Sequence, residues 1–125
     1  MQTMKRGGEA FTLVEIMIVV AIIGLLAAIA VPNFIRARTN SQTNMCIDNL
    51  RMIDAAKQQW ALEQGQVGTS IPQGTDIQPY LGRASGTLPT CPIDPQNSFG
   101  TSYTMGNCET PPVCLILPAR HVLPP

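Results

Sequence analysis

The stretch from Phe11 to Val31 is the part of this sequence that most restricts its fold. It holds 21 residues, and Glu15, near its start, is the one charged side chain among them. As an α-helix rising about 1.5 Å per residue it would be about 31 Å long, which matches a bilayer core of about 30 Å. The sequence therefore predicts a helix able to span a membrane. A carboxylate inside such a helix is costly and indicates a function.

Two simpler membrane segments fit this stretch less well. A secretory signal peptide has an apolar core of about 7–15 residues, shorter than the one here, and no internal acidic residue. A plain single-pass anchor fits the length but leaves Glu15 unexplained. Lys5 and Arg6 precede the stretch and Arg36 and Arg38 follow it, so the positive-inside rule does not decide its orientation.

Size and charge limit what the rest of the chain does. With 125 residues in total, the part after the apolar stretch forms one small domain with too little core for a large catalytic cleft. The formal net charge is zero and basic residues form no stripe, which argues against nucleic-acid binding. We find no catalytic triad, Cys/His dyad or phosphate-binding loop, and we predict that the chain is not an enzyme.

Four cysteines, an even number in a short chain that looks exported, predict two disulfides in an oxidising compartment. The candidates are Cys46, Cys91, Cys108 and Cys114, whose three possible pairings stay open. A zinc site is the weaker alternative, because the chain has no Cys-x-x-Cys and its one histidine, His121, lies in a proline-rich terminus and is expected to be exposed. We therefore predict no metal and no cofactor.

The helical pattern continues beyond the apolar stretch, to about Gln64. Pro32 removes a helical hydrogen bond and Gly24 is a weak helix former, so we expect a bend near these two residues. Farther on, apolar residues recur at steps of three and four and predict a buried stripe, made of Cys46, Leu50, Ile53, Ala56 and Trp60. Charged residues on the other faces predict a solvated side with i,i+3 pairs, made of Asp48, Arg51, Asp54, Lys57 and Glu63. Gly65 is expected to stop the helix.

The residues after Gly65 predict a small head. Asp76 is expected to cap a short helical turn. Residues 102–105 and 113–117 have the composition of two short strands joined as a hairpin. The predicted fold class is α+β: a long N-terminal helix with a small, disulfide-stabilised antiparallel β head packed on its C-terminal half.

The string Phe11-Thr12-Leu13-Val14-Glu15, followed by the apolar residues to Val31 and by Pro32-Asn33-Phe34, resembles the N-terminus of type IV pilins and type II secretion pseudopilins. The resemblance implies that a prepilin peptidase cuts before Phe11 on the cytoplasmic face and methylates the new amine. Ala10 stands where this family normally has glycine, with Gly7-Gly8 upstream. We predict that the cut falls between Ala10 and Phe11.

Cleavage at this bond would create an amine at Phe11, mostly cationic at neutral pH, one helical turn from Glu15. The resemblance implies that this amine and the Glu15 carboxylate set the axial register between subunits. The predicted divisions are a leader at 1–10, a transmembrane and filament-core helix at 11–32, an amphipathic continuation at 33–64 and the head at 65–125.

The resemblance also implies a function and a place. The chain would be anchored in the inner membrane, processed, and assembled by pilus or secretion machinery into a homo-oligomeric filament at the cell surface or in the periplasm. A type IV pilus-like major pilin is the first interpretation, a type II major pseudopilin the second, and a membrane-anchored exported binding module the third. Residues 91–103 also faintly resemble the head of major pseudopilins, whose nearby loop binds calcium. Only Glu109 offers a carboxylate after Tyr103, which argues against calcium here.

Overall fold

Helix α1, from Leu13 to Gln64, is the longest element of the protein. The computed structural model describes residues 8, 10–82 and 86–125. Both Gly24 and Pro32 lie inside α1, and the bend expected near them stays a prediction. The helix ends as expected: Gly65 has a φ of 60°, and the Gln66 N–H donates to the Ala61 carbonyl at 2.9 Å. This six-to-one bond with a left-handed glycine is a Schellman C-cap.

The chain divides into two compact units, Met1–Ala37 and Arg38–Pro125. The second unit holds the head. Its first short helix, α2, spans Gly74–Ile77 and passes into a 3₁₀ turn at Gln78–Tyr80. The expectation that Asp76 is the N-cap was wrong. Gln73 is the N-cap, and Asp76 lies three residues later, where its Oδ2 accepts from the Gln73 backbone N–H at 2.8 Å.

A two-stranded antiparallel sheet follows, as the sequence predicted, but its strands are shorter. Helix α3 (Phe99–Ser102) leads into β1 (Tyr103–Thr104), which pairs with β2 (Val113–Cys114). In the register Tyr103 lies opposite Cys114 and Thr104 opposite Val113. The α+β class with a long N-terminal helix is confirmed.

The core of the head forms where α1 meets the segments that follow it. Four of the five predicted stripe residues, Cys46, Leu50, Ile53 and Ala56, have no exposed surface, whereas Trp60 is half-buried. The rest of the core comes from the head, through Ile77, Leu81, Cys91, Tyr103 and Cys114. Burying a side chain the size of leucine or isoleucine contributes about 1.5–3 kcal/mol, so this stripe holds the head to the helix.

The polar faces of α1 differ in part from the expectation. Arg51 Nη1 and Asp48 Oδ1 form the predicted i,i+3 pair at 2.9 Å, with both side chains well exposed. Lys57, however, was expected in solvent and is completely buried. It follows Ile53 by four residues, the same step that joins the stripe residues, so its position on the buried face was visible in the spacing.

The prediction of a disulfide-stabilised head is not supported. All four cysteines are buried and free. The Sγ atoms of Cys91 and Cys114 are 3.9 Å apart, far beyond the S–S bond length of about 2.05 Å.

Candidate functional site

The bond predicted for cleavage, between Ala10 and Phe11, lies before α1 begins. Both residues and Thr12 are exposed and outside regular secondary structure, and Phe11 is 81% exposed. Because exposed segments without secondary structure are the usual sites of proteolysis, this bond is accessible without unwinding the helix. Of the predicted leader, residues 1–7 and 9 lie outside the described part of the chain.

Thr12 and Glu15 form a capping box at the start of α1. The Thr12 backbone N–H donates to Glu15 Oε2 at 2.9 Å, and the Glu15 backbone N–H donates to Thr12 Oγ1 at 3.2 Å. These reciprocal bonds satisfy backbone N–H groups that a helix start leaves without intrahelical partners. From the sequence, Glu15 was expected only to pair with the Phe11 amine. A Thr-x-x-Glu spacing ahead of an apolar run is the signal that would have revealed this second role.

The first half of α1 and the residues just before it present a continuous apolar surface. Each large apolar side chain between Phe11 and Ile35 is more than half exposed. By length and composition, α1 is the one helix in the described part of the chain that is able to cross a membrane. A contiguous apolar surface of this extent marks a membrane or protein interaction site.

A second group of side chains with metal-ligating atoms lies inside the head. The ligand atoms of Cys46, Cys91, Cys114 and His121 all lie within 4.8 Å of one another, and all four residues are buried. We call these four residues the Cys₃His cluster. His121 Nδ1 is 3.5 Å from Cys114 Sγ and 3.8 Å from Cys91 Sγ. The expectation that His121 is exposed was wrong: it is 1% exposed.

A turn at the C-terminal side of β2 places His121 in this cluster. The backbone N–H groups of Arg120 and His121 both donate to the Leu117 carbonyl, at 3.1 and 2.9 Å. This turn folds the imidazole back towards Cys114 on β2. Cys108 lies outside the cluster, and its Sγ donates to the Ser70 carbonyl at 3.3 Å.

Polar neighbours hold the cluster side chains in place. The Tyr103 hydroxyl donates to Cys46 Sγ at 3.5 Å and accepts from Asn49 Nδ2 at 3.1 Å. Burial raises the pKa of the Cys46 thiol, an effect that the Tyr103 hydroxyl opposes. Burial also raises the pKa of the Cys91 thiol, and the Ile93 backbone N–H opposes it. Without a nearby cation, the Cys46 and Cys91 thiols stay protonated at neutral pH.

The buried ammonium of Lys57 is hydrogen-bonded to the loop between β1 and β2. Its Nζ donates to the carbonyls of Met105 at 2.7 Å, Asn107 at 3.0 Å and Thr110 at 2.6 Å. Burial lowers the pKa of Lys57, and the nearby Asp54 carboxylate, 3.8 Å away, opposes that shift. Three backbone carbonyls of this loop are therefore already paired with a cation that the chain itself supplies.

Asp94, in the segment that resembles pseudopilin heads, is occupied by protein donors. Its Oδ2 accepts from Thr101 Oγ1 at 2.6 Å and Ser102 Oγ at 2.7 Å, and its Oδ1 accepts from the Gln96 N–H at 3.0 Å. Hydrogen bonds from Thr101 and Ser102 lower the pKa of this carboxyl. Ser102 Oγ also accepts from the Cys91 N–H at 2.9 Å. Asp94 thus fixes the loop that carries Cys91.

Comparison with known families places the N-terminal site in a class. Residues 6–31 match the family described as "Prokaryotic N-terminal methylation motif". With an accessible Ala10–Phe11 bond, a Glu15-capped apolar helix and a small α+β head, the chain is a prepilin-type protein.

Similar proteins identify the family of prepilin-type proteins to which this chain belongs. The chain is 48% identical over 56 residues to the "Type IV major pilin protein PilA" of Myxococcus xanthus, a match that covers 45% of this chain and 26% of PilA. It is 31% identical to the "Type II secretion system core protein G" of Pseudomonas aeruginosa, over 79% of this chain and 73% of that protein. With the core protein G of Dickeya chrysanthemi it shares 28% identity, over 94% of this chain and 74% of that protein. This chain belongs to the family of type IV pilins and type II secretion pseudopilins. No solved structure matches it.

Proposed function

We propose that the chain is a structural, non-enzymatic subunit of a helical filament that assembles through α1. A prepilin peptidase would cut between Ala10 and Phe11 and methylate the new amine. The subunit would wait in the inner membrane until assembly machinery moves it into a filament. The observation that carries this proposal is the exposed apolar surface of α1 directly after an accessible bond in a prepilin motif.

The same surface serves the membrane and the filament in turn. In water each exposed side chain the size of leucine would cost about 1.5–3 kcal/mol, so the surface needs a bilayer or neighbouring helices. Moving from lipid to a helix bundle brings no further hydrophobic gain, so the favourable free energy of assembly must come from close packing between helices. Small residues that permit such packing occur along this stretch, at Ala21, Gly24, Ala27, Ala28 and Ala30.

Glu15 would then fix the register of the packed helices. A carboxylate in an apolar bundle needs a partner, and the Phe11 amine that cleavage creates is the complementary cation. Removing either member leaves a buried charge unpaired, which costs about 3–5 kcal/mol. The pair would therefore select one axial position of each helix relative to its neighbour, among many positions that the apolar contacts alone would not distinguish.

The kind of filament is a separate question, with two candidates. The first candidate is a type IV pilus, which the identity with PilA supports. The similarity to core protein G extends over most of the chain, including the head, and supports a type II pseudopilus. Both use the same N-terminal processing, so the head and the location of the filament must distinguish them.

One experiment tests the proposal and separates these candidates. Filaments are sheared from the source cells, and the N-termini of this chain are determined by mass spectrometry in the sheared and envelope fractions. N-methyl-Phe11 in abundant sheared filaments supports a pilus subunit, and N-methyl-Phe11 confined to the envelope supports a pseudopilin. A chain that keeps residues 1–10 in both fractions contradicts the proposal and supports an anchored binding module.

A further inference from the structure

We propose that Cys46, Cys91, Cys114 and His121 bind one zinc ion that holds the head together. Zinc in structural sites takes four cysteine and histidine ligands in a tetrahedron, with Zn–S near 2.3 Å and Zn–N near 2.0–2.1 Å. Those lengths require ligand separations of about 3.8 Å between sulfurs and about 3.6 Å between sulfur and nitrogen. The observed values are 3.9 Å for Cys91–Cys114, and 3.8 and 3.5 Å from His121 to these two sulfurs.

Cys46 completes the tetrahedron from the helix side. Its separations from the other three ligand atoms are no longer than 4.8 Å. Closing them to tetrahedral values requires movements of about 1 Å or less, which small side-chain rotations supply. Since all four ligand positions come from the protein and all are buried, the site has no open position for substrate. The expected role is structural.

The imidazole is oriented for metal binding. Its Nε2 lies 3.3 Å from Thr43 Oγ1, whereas its Nδ1 faces Cys91 and Cys114. With the ring proton on Nε2, the imidazole donates to Thr43 and directs the Nδ1 lone pair at the sulfurs. A second hydrogen bond of this kind typically accompanies zinc-bound histidines and fixes their tautomer.

A disulfide satisfies this cluster less completely than a metal ion. Joining Cys91 to Cys114 would use two of the three sulfurs and leave the Cys46 thiol and the His121 imidazole buried beside it. Zinc uses all four groups. A zinc ion would thus take the place of the predicted disulfides, and its binding does not depend on the filament function.

Protons and charge balance in this step. Binding replaces three S–H bonds with three Zn–S bonds and releases three protons to solvent. Three thiolates, one neutral imidazole and Zn²⁺ leave a net charge of −1. The Tyr103 hydroxyl, which donates to Cys46 Sγ, and the Ile93 N–H beside Cys91 are positioned to stabilise that charge.

The zinc ion would link parts of the chain that are distant in sequence. One ligand comes from α1, one from the loop before α3, one from β2 and one from the turn after it. A core this small gains a large share of its stability from such a link. The ion would thus replace the disulfides that small exported domains ordinarily use.

The test uses the full chain, purified in detergent without added reductant or chelator. Metal analysis should find one zinc per chain, and X-ray absorption at the zinc edge should show three sulfurs near 2.3 Å and one nitrogen near 2.0 Å. This measurement needs no variant. A metal-free chain with a mass two hydrogens below the reduced form, indicating a disulfide, overturns the proposal, as does zinc bound only through nitrogen and oxygen.

Variants add a matched comparison. Cys114→Ser should lower the zinc affinity more than 100-fold, measured by competition with a chromophoric chelator. Cys108→Ser removes a buried cysteine outside the cluster and should change it less than about twofold. Thr43→Val should weaken binding about 10-fold by releasing the imidazole. Equal zinc affinities in Cys114→Ser, Cys108→Ser and the unaltered chain contradict the proposal.

Discussion

Glu15 accepts a hydrogen bond from the Thr12 backbone N–H at 2.9 Å, so its carboxylate has a partner inside its own subunit before any neighbour arrives. The negative charge also lies at the N-terminus of α1, where the helix dipole favours it. Glu15 thus combines two roles, helix cap and proposed counter-charge for the Phe11 amine. Different substitutions separate them.

The first prediction concerns the charge of Glu15. Glutamine keeps an oxygen that accepts from Thr12 and is itself found in capping boxes, whereas alanine removes both the cap and the charge. We expect Glu15→Gln and Glu15→Ala both to reduce sheared filaments at least 10-fold, with both proteins still present in the membrane fraction. Filaments at the unaltered level in Glu15→Gln, with loss only in Glu15→Ala, would show that the cap alone matters.

The second prediction concerns Ala10. Substrates of prepilin peptidases normally have glycine at this position, which implies a binding site that accepts only a small residue. We expect Ala10→Gly to be processed fully and Ala10→Leu to remain uncleaved. The measurement is the mass of the chain in the membrane fraction, where processing removes residues 1–10 and adds one methyl group. Normal processing of Ala10→Leu would place the cut elsewhere.

The third prediction concerns the buried ammonium of Lys57. Lys57→Met fills a similar volume but leaves the carbonyls of Met105, Asn107 and Thr110 without their donor. Since unpaired buried polar groups cost about 1–3 kcal/mol each and part of this loop can reach water, we expect a loss of about 2–4 kcal/mol in the free energy of unfolding. Denaturant titration of the full chain in detergent, followed by the fluorescence of its one tryptophan, Trp60, measures it.

Arg51→Met is the matched control for Lys57→Met. It also removes a cation from α1, but Arg51 is exposed and its ion pair is with the exposed Asp48. Surface pairs of this kind contribute about 0–1 kcal/mol. Equal losses in the two variants would contradict the role assigned to the carbonyl contacts.

The fourth prediction gives the pH dependence of the same residue. Burial lowers the pKa of Lys57 in the folded chain, so between that pKa and the unfolded value of 10.5 the unfolded chain binds more protons. The free energy of unfolding contributed by this group therefore rises with pH in that window, by at most about 1.4 kcal/mol per pH unit. We expect the difference in stability between the unaltered chain and Lys57→Met to grow from pH 7 to pH 10. A difference that shrinks would mean that the pKa is raised instead.

Local patterns were sufficient to predict α1, its stop at Gly65 and most of its buried stripe. Each depends on residues a few positions apart, where helical geometry dictates the spacing of side chains. The two strands were also predicted, although their ends were not. Strand ends depend on how far the two segments stay close enough to form backbone hydrogen bonds, which the sequence does not reveal.

The Cys₃His cluster could not be predicted in the same way. Cys46 and His121 are brought together by the packing of the head on α1 and by the turn at Leu117, neither of which leaves a local sequence pattern. An even number of cysteines suggested pairs, and the proline-rich surroundings of His121 suggested exposure. The number of cysteines does not determine whether they pair, and local composition does not determine whether a side chain is buried.

Two stretches of the continuous helix α1 make different kinds of contact. Up to Ile35 its large apolar side chains are exposed, and from Cys46 onward one face is buried beneath the head. Substitutions in these two stretches act on different interactions and should be nearly additive. The residues of the head can therefore change during evolution while the apolar surface used for assembly stays the same, provided that the helical turns between the two stretches are kept.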